Sequence, residues 1–126
     1  MFYNSVLQLA FLGDSIYETL IRKKLLSTTK LPVKKLNQIK LKYVTASAQS
    51  KALEFIFDSL TDEEKDLVLK GRNAKITNVP KTATHREYHN ATALETLFGY
   101  LYMNNNYDRL NELVDVIYNM EEKNDD

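Results

Sequence analysis

Apolar residues recur along the chain at spacings of three and four, which is the period of an α-helix with one buried face. Only three glycines and two prolines occur among 126 residues, and the alternating pattern of β-strands is nearly absent. The pattern therefore predicts an all-α fold. The length favours a single domain over residues 1–126, with a short acidic tail from about residue 119.

The first predicted helix, from about residue 4 to residue 26, has apolar residues on more than one face. Such a helix needs burial on two sides. It is either the central helix of a bundle, or one of its sides also packs on a second copy of the chain. Its apolar positions are Val6, Leu7, Leu9, Ala10, Phe11, Leu12, Ile16, Tyr17, Leu20 and Ile21.

A second helix is predicted to begin near Pro32, because proline is tolerated in the first helical turn. Residues 46–57 form either a third helix or a bent continuation of the second. Thr61 and Glu64 have the spacing of a capping box, which begins a short helix that Gly71 is expected to end.

The rest of the chain is predicted as a loop and two helices. Residues 71–81 contain many turn-forming residues and have no helical period. A long helix is expected from about residue 84 to residue 103, followed by an interruption at residues 104–106. The inward positions of the last helix are Leu110, Leu113, Val114, Ile117 and Tyr118.

The net charge is zero, but the charges are segregated along the chain. Two blocks without acidic residues indicate a polyanionic partner, although a solvated helix face stays an alternative for each block. The first block contains Arg22, Lys23, Lys24, Lys30, Lys34, Lys35, Lys40, Lys42 and Lys51. The second contains Lys70, Arg72, Lys75, Lys81 and Arg86.

The composition excludes several functional classes. Without cysteine, disulfides and thiolate metal sites are impossible, and any metal needs oxygen or imidazole ligands, which favours Mg²⁺ or Mn²⁺. No signal-peptide pattern and no membrane-spanning apolar run occurs, so we expect a soluble, cytoplasmic protein with no membrane partner. The sequence contains no glycine-rich phosphate loop, so we expect no nucleotide cofactor.

Two carboxylates lie in otherwise apolar helical segments. Asp14 follows Gly13 in the first helix, and Glu95 lies one turn before Gly99 in the long helix. A buried charge is costly unless it is paired or bound to a metal, and glycines inside helices favour a close approach of two backbones. The sequence therefore predicts that Asp14 and Glu95 meet and bind a divalent cation; bridging by Lys or Arg is the alternative.

His85 and His89 have a spacing that could place both on one helix face as zinc ligands. The residue after the first histidine is Arg86 rather than the glutamate of zinc proteases, and no third ligand is evident. We therefore do not expect a zinc site.

Residues 11–15 (FLGDS) and 94–102 (LETLFGYLY) resemble the two signature helices of ribonuclease III catalytic domains. Residues 71–75 (GRNAK) and 79–81 (VPK) resemble the short bacterial subgroup called Mini-ribonuclease III, which lacks a separate double-stranded-RNA-binding domain. The resemblance spans about residues 4–118. It implies a homodimeric helical bundle that cleaves double-stranded RNA with Mg²⁺, for which Mn²⁺ can substitute, leaving 5′-phosphate and 3′-hydroxyl ends.

The resemblance also implies roles for individual residues. Asp14 and Glu95 are the expected catalytic metal ligands, and the expected substrate is the precursor of large-subunit ribosomal RNA. A catalytic domain that holds duplex RNA by itself needs contacts to phosphates and 2′-hydroxyls. The candidates for these contacts are Arg72, Asn73, Lys75, Lys81 and Lys51.

The chain departs from the larger family at two positions, because Ala10 and Thr92 replace carboxylates. Thr92 could instead orient a water at the metal, and Glu18 could support Asp14 from one turn away. The reduced number of carboxylates keeps an alternative open, namely a catalytically silent dimer that binds structured RNA or the ribosome. A helical dimerisation scaffold without an RNA role is disfavoured by residues 72–75.

Overall fold

The helices of the computed structural model follow the predicted pattern closely. The structure describes residues 5–75 and 83–120. These ranges contain no β-strand, and the predicted all-α fold is confirmed. The helices are α1 (Val6–Thr28), α2 (Val33–Val44), α3 (Ala46–Ile56), α4 (Asp62–Arg72), α5 (His85–Met103) and α6 (Tyr107–Tyr118), with a 3₁₀ turn, Phe57–Ser59, after α3.

Local hydrogen bonds define where several helices begin. The predicted capping box of α4 is confirmed: the Glu64 amide donates to Thr61 Oγ1 at 3.1 Å, and the Thr61 amide donates to Glu64 Oε1 at 2.9 Å. Thr45 accepts a hydrogen bond from the Ala48 amide at 3.2 Å and so caps α3. Residues after Thr45 therefore form a separate third helix, not a continuation of α2.

The central helix of the domain is α5, which packs against α1, α3 and α4. Leu94, Leu97 and Phe98 are fully buried in the core that these helices form. One side of α1 packs into this core through Tyr17 and Ile21, whereas other apolar residues of α1 face solvent. Thus α5, rather than α1, is the surrounded helix.

The prediction that Gly71 ends α4 was wrong. Gly71 lies inside the helix, which continues to Arg72, and it is buried against α5. A Cβ atom at Gly71 would lie 2.7 Å from Oγ1 of Thr96 and 3.0 Å from the Cα of Ala93. The glycine therefore serves close packing of α4 on α5, a requirement that the local sequence does not display.

An ion pair between mostly buried side chains links α4 to α6. The guanidinium of Arg109 donates to both carboxylate oxygens of Glu64, at 2.8 and 3.0 Å. Burial alone would raise the pKa of Glu64, but the hydrogen bonds from Arg109 and Thr61 hold it below its ordinary value. The capping residue of α4 thereby also anchors the last helix.

Across the described ranges, we find no helix with the length and apolar composition that crossing a membrane requires.

Candidate active site

The backbones of α1 and α5 touch where Gly13 and Gly99 face the opposite helix. A Cβ atom at Gly13 would lie 2.6 Å from the carbonyl carbon of Glu95, and one at Gly99 would lie 2.8 Å from the carbonyl carbon of Leu9. Any other residue at these positions would push the helices apart. The predicted role of the two glycines in close helix approach is therefore confirmed by the contact geometry.

This crossing brings the carboxyl groups of Asp14 and Glu95 within hydrogen-bonding reach of each other. Burial, followed by the charge of Asp14 and a hydrogen bond to it, raises the pKa of Glu95 from 4.5 to about 8. Without a cation between them, the two groups favour a state in which Glu95 keeps its proton. A divalent cation that bound both carboxylates would take the place of this proton.

Asp14 itself is exposed in the single chain, so the expectation of a buried carboxylate was wrong for this residue. It lies in an open groove along α1, whereas Glu95 is half-buried beneath it. The apolar neighbours that suggested burial belong partly to a solvent-facing side of α1. The groove is lined by Phe11, Leu12, Asp14, Ser15, Glu18, Thr19 and Arg22.

Glu18 lines the same groove as Asp14, but its carboxylate is paired with cations. It accepts hydrogen bonds from Arg22 at 2.7 and 3.0 Å, and the Nζ of Lys40 lies 3.9 Å away. These contacts hold Glu18 along α1 and towards α2. Its predicted support of Asp14 stays a prediction.

Thr92 lies on α5 one turn before Glu95 and is buried. Its hydroxyl donates to the Tyr88 carbonyl oxygen at 3.0 Å, which leaves the hydroxyl oxygen able to accept a hydrogen bond. Ala10, the other position where the resemblance to the larger family implies a carboxylate, is also buried and offers no ligand. The proposed contact of Thr92 with a water stays a prediction.

Gln49 of α3 is a site residue that the sequence analysis missed. Its side chain interacts with the Glu95 carboxyl group, and this interaction lowers the Glu95 pKa against the larger raising effects. Gln49 is only 3% exposed. It occupies the same helical stripe as Ala52, Leu53 and Ile56, so a polar residue in an apolar stripe was the available signal.

Tyr17 closes the inner side of the site, three residues after Asp14. Its ring packs edge-on against Phe98, with centroids 5.2 Å apart, and its hydroxyl donates to the Tyr43 carbonyl oxygen at 2.8 Å. Burial, followed by the charges of Tyr43 and Glu95, raises the pKa of Tyr17 above its ordinary range. Tyr17 is therefore an uncharged, buried side chain next to the carboxyl groups.

The candidate RNA contacts lie on exposed surface where the structure describes them. Arg72, Asn73 and Lys75 are exposed at the end of α4, which Gly71 holds against α5 next to Thr96. Lys51 is exposed on α3, two residues after Gln49. Lys81 lies outside the described residues.

The donor set of the site is composed of oxygen atoms. In residues 5–75 and 83–120, no cluster of three or more Asp, Glu, His or Cys side chains could surround a metal ion. Two carboxylates fit Mg²⁺, which binds through one or two carboxylates and retains several waters. The arrangement is consistent with a cation shared by Asp14 and Glu95.

An all-α domain in which two crossing helices bring carboxylates together agrees with the resemblance of the sequence to ribonuclease III catalytic domains. The family model described as "Ribonuclease III domain" matches residues 7–106. The chain therefore belongs to the ribonuclease III family, in its Mini-ribonuclease 3 branch.

Individual relatives support this assignment over most of the chain. The Mini-ribonuclease 3 of Thermoanaerobacter sp. (strain X514) is 40% identical over 112 residues, covering 89% of this chain and 79% of the relative. That of Symbiobacterium thermophilum is 42% identical over 108 residues, covering 86% and 83%. A crystal structure of a Fusobacterium nucleatum protein has a TM-score of 0.86 and 32% identity, covering 94% of this chain and 95% of that one.

Proposed function

We propose that this protein is an endoribonuclease that hydrolyses double-stranded RNA at the Asp14–Glu95 pair. The observation that carries the proposal is the contact between the two carboxyl groups, with the Glu95 pKa raised to about 8, in a member of the ribonuclease III family. Perturbed carboxyl pairs are frequent in hydrolytic sites. The relatives named Mini-ribonuclease 3 support the same reaction class.

The proposed cofactor is Mg²⁺, with Mn²⁺ as a substitute, held by Asp14 and Glu95. When bound, such an ion activates water and stabilises the charge that develops on the phosphodiester. Cleavage is proposed to leave 5′-phosphate and 3′-hydroxyl ends. Glu95 would hold the cation as a carboxylate and would have to release its proton, and Tyr17 keeps bulk water from the inner side of the carboxylates.

We propose that the basic surface around the site holds the RNA duplex. Arg72, Asn73 and Lys75 at the end of α4 would contact phosphates and 2′-hydroxyls, with Lys51 and Lys81 as further contacts. Exposure of the first three side chains beside α5 supports this role. The proposed substrate is the precursor of large-subunit ribosomal RNA in the cytoplasm, which rests on the resemblance to the Mini-ribonuclease III subgroup.

We also propose a homodimer that uses the solvent-facing side of α1. Phe11 is 85% exposed on this side and lines the groove that contains Asp14. Leu7, one helical turn before Phe11 on α1, is also exposed, and neighbouring exposed apolar residues are typical of a contact surface. A dimer through Phe11 would lie beside both active sites, so each subunit could act on one strand of the duplex.

A cleavage assay tests the proposed function. A perfectly paired RNA duplex is incubated with the wild type, with Asp14→Asn and with Glu95→Gln, in Mg²⁺ or in a chelator. We expect cleavage only by the wild type in Mg²⁺, with a loss of at least a hundredfold in each variant, because each change removes a ligand oxygen charge. Cleavage that survives both substitutions would refute the site assignment.

The same assay decides between the enzyme and a silent binding module. Among the described residues, no third carboxylate joins Asp14 and Glu95 in a cluster that could hold a metal ion, which keeps this second candidate relevant. Duplex binding without any cleavage by the wild type in Mg²⁺ or Mn²⁺ would support the silent module. Absence of both binding and cleavage would refute an RNA role altogether.

A further inference from the structure

The interface between α3 and α5 contains two buried polar residues in succession. The Asn90 amide donates to the hydroxyl of Ser50 at 3.0 Å, and the side chain of the preceding residue, Gln49, interacts with the carboxyl group of Glu95. Gln49 and Ser50 are both buried, so each needs a partner inside the protein. The partner of Ser50 is an amide on α5, whereas the partner of Gln49 is one of the two carboxyl groups of the site.

Glu95 therefore receives contacts from two different helices. Asp14 approaches its carboxyl group from α1, and Gln49 approaches it from α3. A glutamate side chain has three rotatable bonds, and a metal ligand must keep its oxygens in one orientation. Hydrogen bonds from neighbouring residues commonly provide that orientation in metal sites. The Gln49 amide is well suited to do so because the residue is itself buried.

We propose that Gln49 is a positioning residue that orients the Glu95 carboxylate, so that Glu95 and Asp14 present their oxygens to the same divalent cation. This inference rests on the proposed function, since it requires that the two carboxylates bind a metal. Gln49 acts through Glu95 and does not itself bind the ion. Its side chain has a second amide hydrogen and a carbonyl oxygen that remain available to the buried surroundings.

The test measures Mn²⁺ binding to the RNA-free protein by the electron paramagnetic resonance signal of free Mn²⁺. Gln49→Met and Gln49→Leu remove the amide and replace it with an apolar side chain of similar size. Ser50→Ala is the matched control, because it removes a buried hydrogen bond of the same interface without touching Glu95. Circular dichroism and thermal unfolding verify that each variant is folded.

We expect the dissociation constant for Mn²⁺ to rise about tenfold or more in both Gln49 variants and to stay within about twofold in Ser50→Ala. In the cleavage assay, the Mg²⁺ concentration at half-maximal rate should rise, while the rate at saturating Mg²⁺ changes much less. A purely structural role would not produce this split. Wild-type Mn²⁺ affinity in folded Gln49→Met would overturn the proposal, as would failure of both Gln49 variants to fold.

Asp14→Asn and Glu95→Gln separate this inference from the proposed function. If these variants lose Mn²⁺ binding and the Gln49 variants keep it, only the positioning role fails. If all four bind Mn²⁺ as the wild type does, the carboxylate metal site fails, and the role of Gln49 fails with it.

Discussion

Gly13 of α1 lies directly against the backbone of Glu95 in α5, so that a Cβ atom at Gly13 would come within 2.6 Å of the Glu95 carbonyl carbon. Gly13, which directly precedes Asp14, therefore contacts the backbone of Glu95. The helix crossing and the candidate active site are consequently one structural unit, and a change that separates the helices must also separate the carboxylates.

The substitution Gly13→Ala should destabilise the protein by about 3 kcal/mol, because an added methyl group overpacks a backbone contact that cannot yield. The helix-propensity gain of alanine, about 1 kcal/mol, offsets only part of this cost. Urea unfolding measures the difference. Ser15→Ala, two residues further along the exposed groove, is the control and should change stability by less than about 0.5 kcal/mol. Equal stability of both variants would contradict the close crossing.

The raised pKa of Glu95 should make the metal-free protein less stable as the pH rises. Its pKa is about 8 in the folded chain against 4.5 ordinarily, so the folded state binds the proton more tightly. This stabilisation is complete below pH 4.5 and is lost between pH 4.5 and 8. At about 1.4 kcal/mol per pKa unit, the loss is on the order of a few kcal/mol.

Urea unfolding of the metal-free wild type and Glu95→Gln at pH 5 and pH 8 checks this dependence. The variant has no proton to lose at this position, so its stability should fall less over the same interval. Parallel pH profiles for the two proteins would show that Glu95 does not titrate in this range.

The substitution Phe11→Glu should convert a dimer into monomers. Phe11 is 85% exposed, and burial of an aromatic ring contributes strongly to an interface, whereas a buried unpaired carboxylate opposes it. Sedimentation equilibrium at micromolar concentrations measures the change. Val116→Glu adds the same charge at an apolar position on α6 that is 41% exposed, and it should leave the dimer intact. A monomeric wild type would refute the proposed assembly.

The double substitution Arg72→Ala and Lys75→Ala should weaken duplex RNA binding about tenfold or more. The loss of two phosphate contacts should also reduce the slope of log affinity against log salt by about 1 to 2. Fluorescence anisotropy in the presence of a chelator measures RNA binding without cleavage. In a separate measurement without chelator and RNA, the Mn²⁺ affinity of the double variant should equal that of the wild type. Lys65→Ala, at the other end of α4, is the control. An unchanged salt slope would exclude these residues from the RNA interface.

Features that depend on neighbours within one helical turn could be predicted from the sequence. The capping box of Thr61 and Glu64 and the apolar stripe of α5 are of this kind, because hydrogen bonds and side-chain spacing inside a helix are local. Gly71 shows the limit of such reasoning. A glycine near a helix end resembles a terminator, but its actual role depends on α4 packing against Thr96 of α5.

Asp14 and Glu95 could each be singled out from the sequence, since each is a carboxylate with apolar neighbours and a nearby glycine. Their contact, the exposure of Asp14 and the approach of Gln49 from a third helix depended on how α1, α3 and α5 pack. Helix packing joins residues that are distant along the chain, and its geometry results from all the side chains at the interface together. Local patterns therefore identified the chemical groups, and the packed helices determined the site that they form.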